Sequence, residues 1–336
     1  MGRKVQYACV FLLIFLLMSA VSQISAEWYL GAGGARNGGE HIFETGNKYP
    51  NLSGFKGGSR ITYDRNYNFG ILEGGYFSEK ISFQARVFGT GWTVRSRNSR
   101  DEDFFLGQIS SEKGNKFSLF PPNLNDTAHT FTGTQNFADG NAKSTVNEKG
   151  TEMYFKYYFG GASAGPFGNN DGFYAGIGIR YNYFKYQLYD VMQWIGSRPV
   201  FYGYIGNGLS YSYSTVETPV GGGYQAHFSK FRFDNSFYYI PLSYSKFRDF
   251  HVQRALNFIG YGYGNGFIFR SELSYIHDES NAVRLAFETH RQFTYAQFNT
   301  KGGLSRDDIL SNFLGNFRSY ITTKEAYISL SYIRKI

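Results

Sequence analysis

Asp101 and Asp103, two residues apart in the run Asp101-Glu102-Asp103, are the side chains of this sequence with the clearest capacity for catalysis. On an extended strand both carboxylates would project to the same side. Held that close they could share a proton, which lifts one pKa toward the range of a useful general base. The plainer alternative is a solvated acidic loop, and the run alone does not decide between the two.

A second constellation is Arg270, Glu272, Arg284, Glu288 and His290, which recur at alternate positions of two neighbouring segments. Gathered on one interior face, they would form either an ion-selecting constriction or a plug of paired side chains. The plug is the better reading, because a small barrel leaves little room for a channel. No other chemistry stands out. Gly31-Ala32-Gly33-Gly34 and Gly260 to Gly266 lack the Lys-Ser/Thr ending and following helix of a phosphate loop. There is no His-Glu-x-x-His spacing and no Ser-His-Asp order, so neither a cofactor nor a metal is expected.

The elements that must position these residues are strands. Tyr (29), Phe (34) and Gly (41) are far above ordinary usage in a chain of 336 residues. Apolar and polar residues alternate with period two: Ile81, Phe83, Ala85 and Val87 on one parity, Ser82, Gln84 and Arg86 on the other. The one long apolar run, Ala8 to Val21 after Arg3 and Lys4, reads as the core of a signal peptide over residues 1–26. It contains Cys9, the sole cysteine, so the exported chain would carry no thiol. Beyond it nothing approaches the run of about 18 apolar residues that a membrane-spanning helix needs.

Export plus alternation predicts an all-β protein: a ten-stranded antiparallel transmembrane β-barrel with long extracellular loops, occupying residues 27–336 as one domain in the cell outer membrane. The ten strands are expected at Trp28 to Ala35, Ile61 to Phe77, Ile81 to Val94, Thr151 to Phe159, Phe173 to Tyr189, Lys230 to Ser245, His251 to Tyr261, Phe267 to Ile276, Ala282 to Phe298 and Ile321 to Ile333. Residues 36–60, 95–150, 190–229 and 299–320 would be the extracellular loops. Gly260 to Gly266, with its Asn-Gly, would be a tight hairpin, and Arg248-Asp249-Phe250 a periplasmic turn. The net charge of +8 suits the phosphates of outer-membrane lipid, lipopolysaccharide above all, and export argues against nucleic acid.

Gly91-Trp92-Thr93, Ser96-Arg97 and Asp101-Glu102-Asp103-Phe104 follow one another in an order that resembles the omptin family of outer-membrane proteases. The strand after Asp64, the run Tyr239-Ile240-Pro241-Leu242-Ser243-Tyr244 and the closing Ile321 to Tyr332 are similar to omptin strands as well. The resemblance spans nearly the whole exported chain, with sparse shared residues. It implies hydrolysis of peptides by a water held between an Asp pair, here Asp101 and Asp103, and an Asp-His pair in the fourth extracellular loop. That loop would be the short Tyr261 to Gly266 segment, which has neither Asp nor His. Asp249-Phe250-His251 has the right spacing, but the strand order above sends it to the opposite end from Asp101. His41, His129 and His227 would lie near the top and His277 at the bottom. The expectation is therefore a catalytically impaired omptin-like barrel with a surface-binding or structural role and a peptide or host ligand at its loops. An active omptin-type endopeptidase using Asp101 and Asp103 is the first alternative, and a small porin the second.

Overall fold

In strand β4 (Ile81–Gly89) the side chains of Ser82, Gln84 and Arg86 are buried while Phe83 and Val87 face outward. This inversion of the soluble pattern runs through the molecule. Leu30, Leu72, Phe155, Ile179, Phe237, Leu285 and Leu330 are 46% to 64% exposed, whereas Arg86, Glu152, Arg180, Arg270 and Glu288 are buried. An apolar belt of that extent is stable only against lipid, and a charged interior only where each charge meets its opposite.

The computed structural model describes residues 27–48, 55–78, 80–108, 138–159, 165–168, 171–195, 198–202, 206–314 and 317–336. The expected signal peptide and His129 lie outside them. The strands are β1 (Glu27–Lys48), β2 (Phe55–Asp64), β3 (Asn68–Phe77), β4, β5 (Val94–Arg95), β6 (Ser99–Gln108), β7 (Ala138–Tyr158), β8 (Gly172–Ile195), β9 (Arg198–Tyr202), β10 (Asn207–Glu217), β11 (Val220–Phe228), β12 (Phe231–His251), β13 (Leu256–Ile276), β14 (Asn281–Gly302) and β15 (Phe317–Lys335). A helix α1 (Arg306–Leu314) lies between the last two. All pairings are antiparallel and form one sheet. Because β1 pairs with β15 on one side and with β2 and β3 on the other, the first and last strands meet and the sheet closes. A closed sheet satisfies every ladder group internally, as a strand in lipid must.

Two sequence expectations are corrected here. Residues 190–229 are not a long loop: β10 and β11 pair with β8 and β12 and cross the barrel. Gly260 to Gly266 is not a hairpin: it lies inside β13, which pairs without a break along β14 from Leu256↔Gly302 to Ile276↔Ala282. The physical reason is packing. A Cβ on Gly260 would sit 2.4 Å from the Phe247 ring, and one on Gly266 would sit 2.2 Å from the Arg291 carbonyl oxygen. These glycines admit neighbouring strands at close approach rather than turning the chain. One crossing gained before β12 and one turn lost after it move everything between to the other end of the barrel.

Three further loops are shorter than expected: β1 runs on to Lys48 and β2 begins at Phe55, β6 (Ser99–Gln108) and β7 from Ala138 take up much of residues 95–150, and β14 extends to Gly302 with β15 beginning at Phe317. Of the aromatic run from Tyr181 to Tyr186, Tyr181 faces out while Phe184 and Tyr186 are buried in the interior.

Candidate functional site

Phe247, Asp249 and His251 point into the barrel because of an irregularity in β12. From Arg232 to Ile240 the buried positions are even-numbered; from Ser243 onward they are odd. The change occurs at Pro241-Leu242, where the register with β13 slips between Ile240 and Ser243. Pro241 has no N–H to give to a ladder, so a bulge is its natural place in a sheet interior. Were the same residues to continue past Ile240 with no slip in the ladder, the even parity would run through and the Asp249 and His251 side chains would face out.

The strand end they occupy is the same end as Asp101. A cleft of about 510 Å³ has Asp101, Asp249 and His251 in its walls together with Ser59, Gln253 and Arg254. The expectation that Asp249-Phe250-His251 lies in a periplasmic turn remote from Asp101 is thus corrected, for the reason given by β10, β11 and β13. The positions of Asp101, on β6, and of Ile61 and Phe43 are set by register: Phe43↔Ile61 and Ile61↔Asp101 are direct cross-strand partners. On the other wall Leu209↔His251, Tyr211↔Asp249 and Asp249↔Phe258 are partners.

Within the cleft His251 Nε2 lies 3.2 Å from Asp249 Oδ2. Donation from Nε2–H to that carboxylate leaves the other ring nitrogen with its lone pair. Ser59 Oγ donates to Asp101 Oδ1 at 3.4 Å. This rim stands clear of the apolar belt: on β12 the last exposed large apolar residue is Leu242, after which the exposed positions include Lys246 and Arg248. Burial by itself works against an imidazolium at His251. The Asp249 carboxylate and its hydrogen bond, with Asp101 beyond, outweigh burial and hold the His251 pKa above its ordinary value.

The remaining sequence candidates are placed as follows. Asp103 is two positions beyond Asp101 on β6, its backbone opposite Ser59 and Ala138; its side chain lies outside the described residues. His41 is fully buried below the cleft, between Thr323 Oγ1 at 2.8 Å and Tyr211 Oη at 3.0 Å. His227 is on β11 at the end where the chain termini meet, not at the top as expected, because residues 190–229 cross the barrel. Arg270, Glu272, Arg284, Glu288 and His290 are all in the interior. Arg270 Nε donates to Glu288 at 2.7 Å and Arg284 Nη1 to Glu272 at 3.4 Å. His290 Nδ1 lies 2.8 Å from Glu325.

Sequence reasoning missed most of that interior network. Arg180 bridges Glu288 at 2.7 Å and Glu325 at 2.9 Å, Arg65 bridges Glu148 at 2.5 Å and Glu325 at 2.6 Å, and Arg86 reaches Glu152 at 2.9 Å. The available signal was the inward parity that Arg86 shares with Ser82 and Gln84. Between this network and the cleft lies a layer of rings: Tyr63 stacks on Tyr211 at 4.7 Å, Tyr63 meets Tyr186 at 4.9 Å, and Phe184 stacks on Tyr213 at 5.3 Å.

A closed sheet with lipid-facing apolar residues and a charged interior defines an outer-membrane β-barrel. The chain matches the family described as "Putative porin" over residues 48–330, and it belongs to that family. No curated protein matches it in sequence. Among solved structures, the outer membrane protease OmpT from Escherichia coli is 12% identical with a TM-score of 0.64, over 92% of this chain and 97% of that one. OprG from Pseudomonas aeruginosa, an outer membrane protein, is 11% identical with a TM-score of 0.33, over 93% and 97%. The translocator domain of the autotransporter NalP from Neisseria meningitidis is 9% identical with a TM-score of 0.39, over 98% and 97%. The first of these likenesses establishes the fold. Membership of that family, with the lipid-facing barrel, places the chain in the cell outer membrane.

Proposed function

We propose that this chain is a ten-stranded outer-membrane barrel, exported by way of residues 1–26, whose cleft hydrolyses peptide bonds with a water held between Asp101 and the Asp249-His251 pair. The observation that carries the reading is His251, 3.2 Å from Asp249, in a cleft that Asp101 shares. The expectation of an impaired site rested on the absence of an imidazole opposite the acidic run, and it loses that basis. The likeness in fold to OmpT, an outer membrane protease, and the resemblance to omptins from Gly91 to Phe104 favour a peptide as substrate.

In this reading Asp249 orients His251 and stabilises its protonated form. Asp101, with Asp103 as the second carboxylate of the pair, holds the water. His251 takes a proton as the water oxygen bonds to the peptide carbonyl carbon. The same proton passes to the departing amine as the C–N bond breaks.

The purified barrel, incubated with a peptide library in the presence of lipopolysaccharide and followed by mass spectrometry, tests this. Cleavage is expected, and Asp101→Asn or His251→Ala should lower kcat/KM by about 10²–10⁴-fold in a barrel that still folds. A folded barrel that cleaves nothing, or whose cleavage survives both substitutions, overturns the reading.

A further inference from the structure

The wall beside the proposed reacting groups is apolar, and its apolar residues are the register partners of those groups. Asp101 is flanked across the ladder by Ile61 and then Phe43. His251 faces Leu209, and Asp249 faces Phe258. Phe258 also meets the His251 ring edge-on with centroids 5.0 Å apart. Val191 completes this side of the cleft.

Behind these residues the floor is made of rings. Phe43 lies 5.0 Å from Phe247, and Phe258 lies 5.5 Å from Phe298. The charges in the cleft are accounted for among the described lining residues. Asp101, Asp249 and His251 belong to the water. Arg254, at the rim, is held by Asp308 of α1, its Nε donating at 3.3 Å and its Nη2 making a second, shorter contact. Among the described lining residues Asp101 and Asp249 are the only carboxylates, so none beyond those that hold the water is present to receive a lysine or arginine side chain.

We infer that this wall is the specificity pocket of the cleft and that it takes a large apolar side chain, aromatic or branched aliphatic, of the substrate residue next to the scissile bond. The inference rests on the peptide-hydrolysis reading above and adds the substrate class to it. The physical basis is a difference in desolvation. A phenyl or isobutyl group enters the pocket by exchanging water contact for contact with the partly exposed Val191 and Phe258, which are backed by the buried Phe43, Ile61 and Leu209. An ammonium or guanidinium head would lose its hydration there without gaining a partner.

The test uses the full barrel and five internally quenched octapeptides that differ only in a central Phe, Leu, Ala, Lys or Arg. Two readouts are taken: kcat/KM on the unsubstituted protein, and binding to the Asp101→Asn protein, which keeps the apolar wall. The Phe and Leu peptides are expected to be favoured at least about 10-fold over Lys and Arg in both, as a single pocket contact allows. Val191→Asp, which adds a carboxylate to the wall, is expected to raise the Lys and Arg peptides about 10-fold relative to Phe. Apolar-selective binding without hydrolysis would uphold the pocket and overturn the hydrolytic reading alone. Equal or better binding or cleavage of the Lys and Arg peptides, or no binding of any peptide, would overturn the inference. A Val191→Asp protein that folds with unchanged preference would overturn it too.

Discussion

His251 carries the chemistry proposed for the cleft, and its protonation is governed by its neighbours. Burial alone would make the imidazole easier to deprotonate, but Asp249 and Asp101 reverse this and hold its pKa above the ordinary 6.5. Only the neutral imidazole can take a proton from water. Hydrolysis should therefore climb with pH along a limb centred above 6.5, and Asp249→Asn, which removes the charge that retains the proton, should move that limb to lower pH while reducing the maximum. A pH profile of kcat/KM for the two proteins checks this; a limb that stays in place counts against Asp249 as the orienting partner. By linkage, the raised pKa also means that His251 contributes stability at acid pH that is lost as the pH rises through its folded-state value. The spacing of Asp249 and His251 was legible in the sequence, as was the acidic run at Asp101. That the two lie at one end was not.

At the scale of elements, β12 decides whether those side chains reach the cleft at all. Its bulge at Pro241-Leu242 changes the inward parity from even to odd, and a one-residue change of phase exchanges the two faces of a strand. Deleting Lys246, which lies between the bulge and the site, should move every later residue by one position and turn Asp249 and His251 to the outer face. Hydrolysis is expected to fall to the level of His251→Ala, while heat-modifiable gel mobility still reports a closed barrel. Retained activity in the deletion protein would show that the phase of β12 does not set which side chains reach the cleft. β13 makes the converse point. Its glycines at 260, 262, 264 and 266 carry a turn-like signal in isolation, yet each faces an atom of a neighbouring residue closer than 3 Å from where a Cβ would be. Local sequence cannot report the neighbours that make a glycine necessary.

Across the whole molecule, cleft and interior are separate compartments. Below the layer of Tyr63, Tyr186 and Tyr211, the interior is packed with ion pairs. The spaces beside Arg86 and Arg180 and beside Lys156 and Arg284 measure only about 10 Å³ and about 30 Å³. That is room for about one water apiece, not for a file of hydrated ions. Planar-bilayer recording of the purified barrel is expected to show no stable conductance steps, and regular steps altered by Arg270→Gln would restore the porin alternative. The network also contributes to folding. Glu288 meets Arg180 at 2.7 Å and Arg270 at 2.5 Å, so removing its charge leaves two buried guanidinium groups short of a partner. Breaking a buried pair of this kind costs about 3–5 kcal/mol, which a urea titration of Glu288→Gln in detergent micelles would register.

What the sequence determined by itself was local. A period of two places a residue on the lipid face or the interior face from its immediate neighbours, so the lipid belt, the charged interior and the inward set of Arg270, Glu272, Arg284, Glu288 and His290 could all be read from alternation. The end of the barrel at which a residue emerges is a different kind of quantity. It depends on how many times the chain has crossed before reaching it, and one misread crossing reverses every later assignment until another restores it. Only the pairing of β10 and β11 into the wall and the unbroken ladder of β13 on β14 supply that count, because register is a property of two strands together. Through them Asp249 and His251 come to face the cleft that holds Asp101.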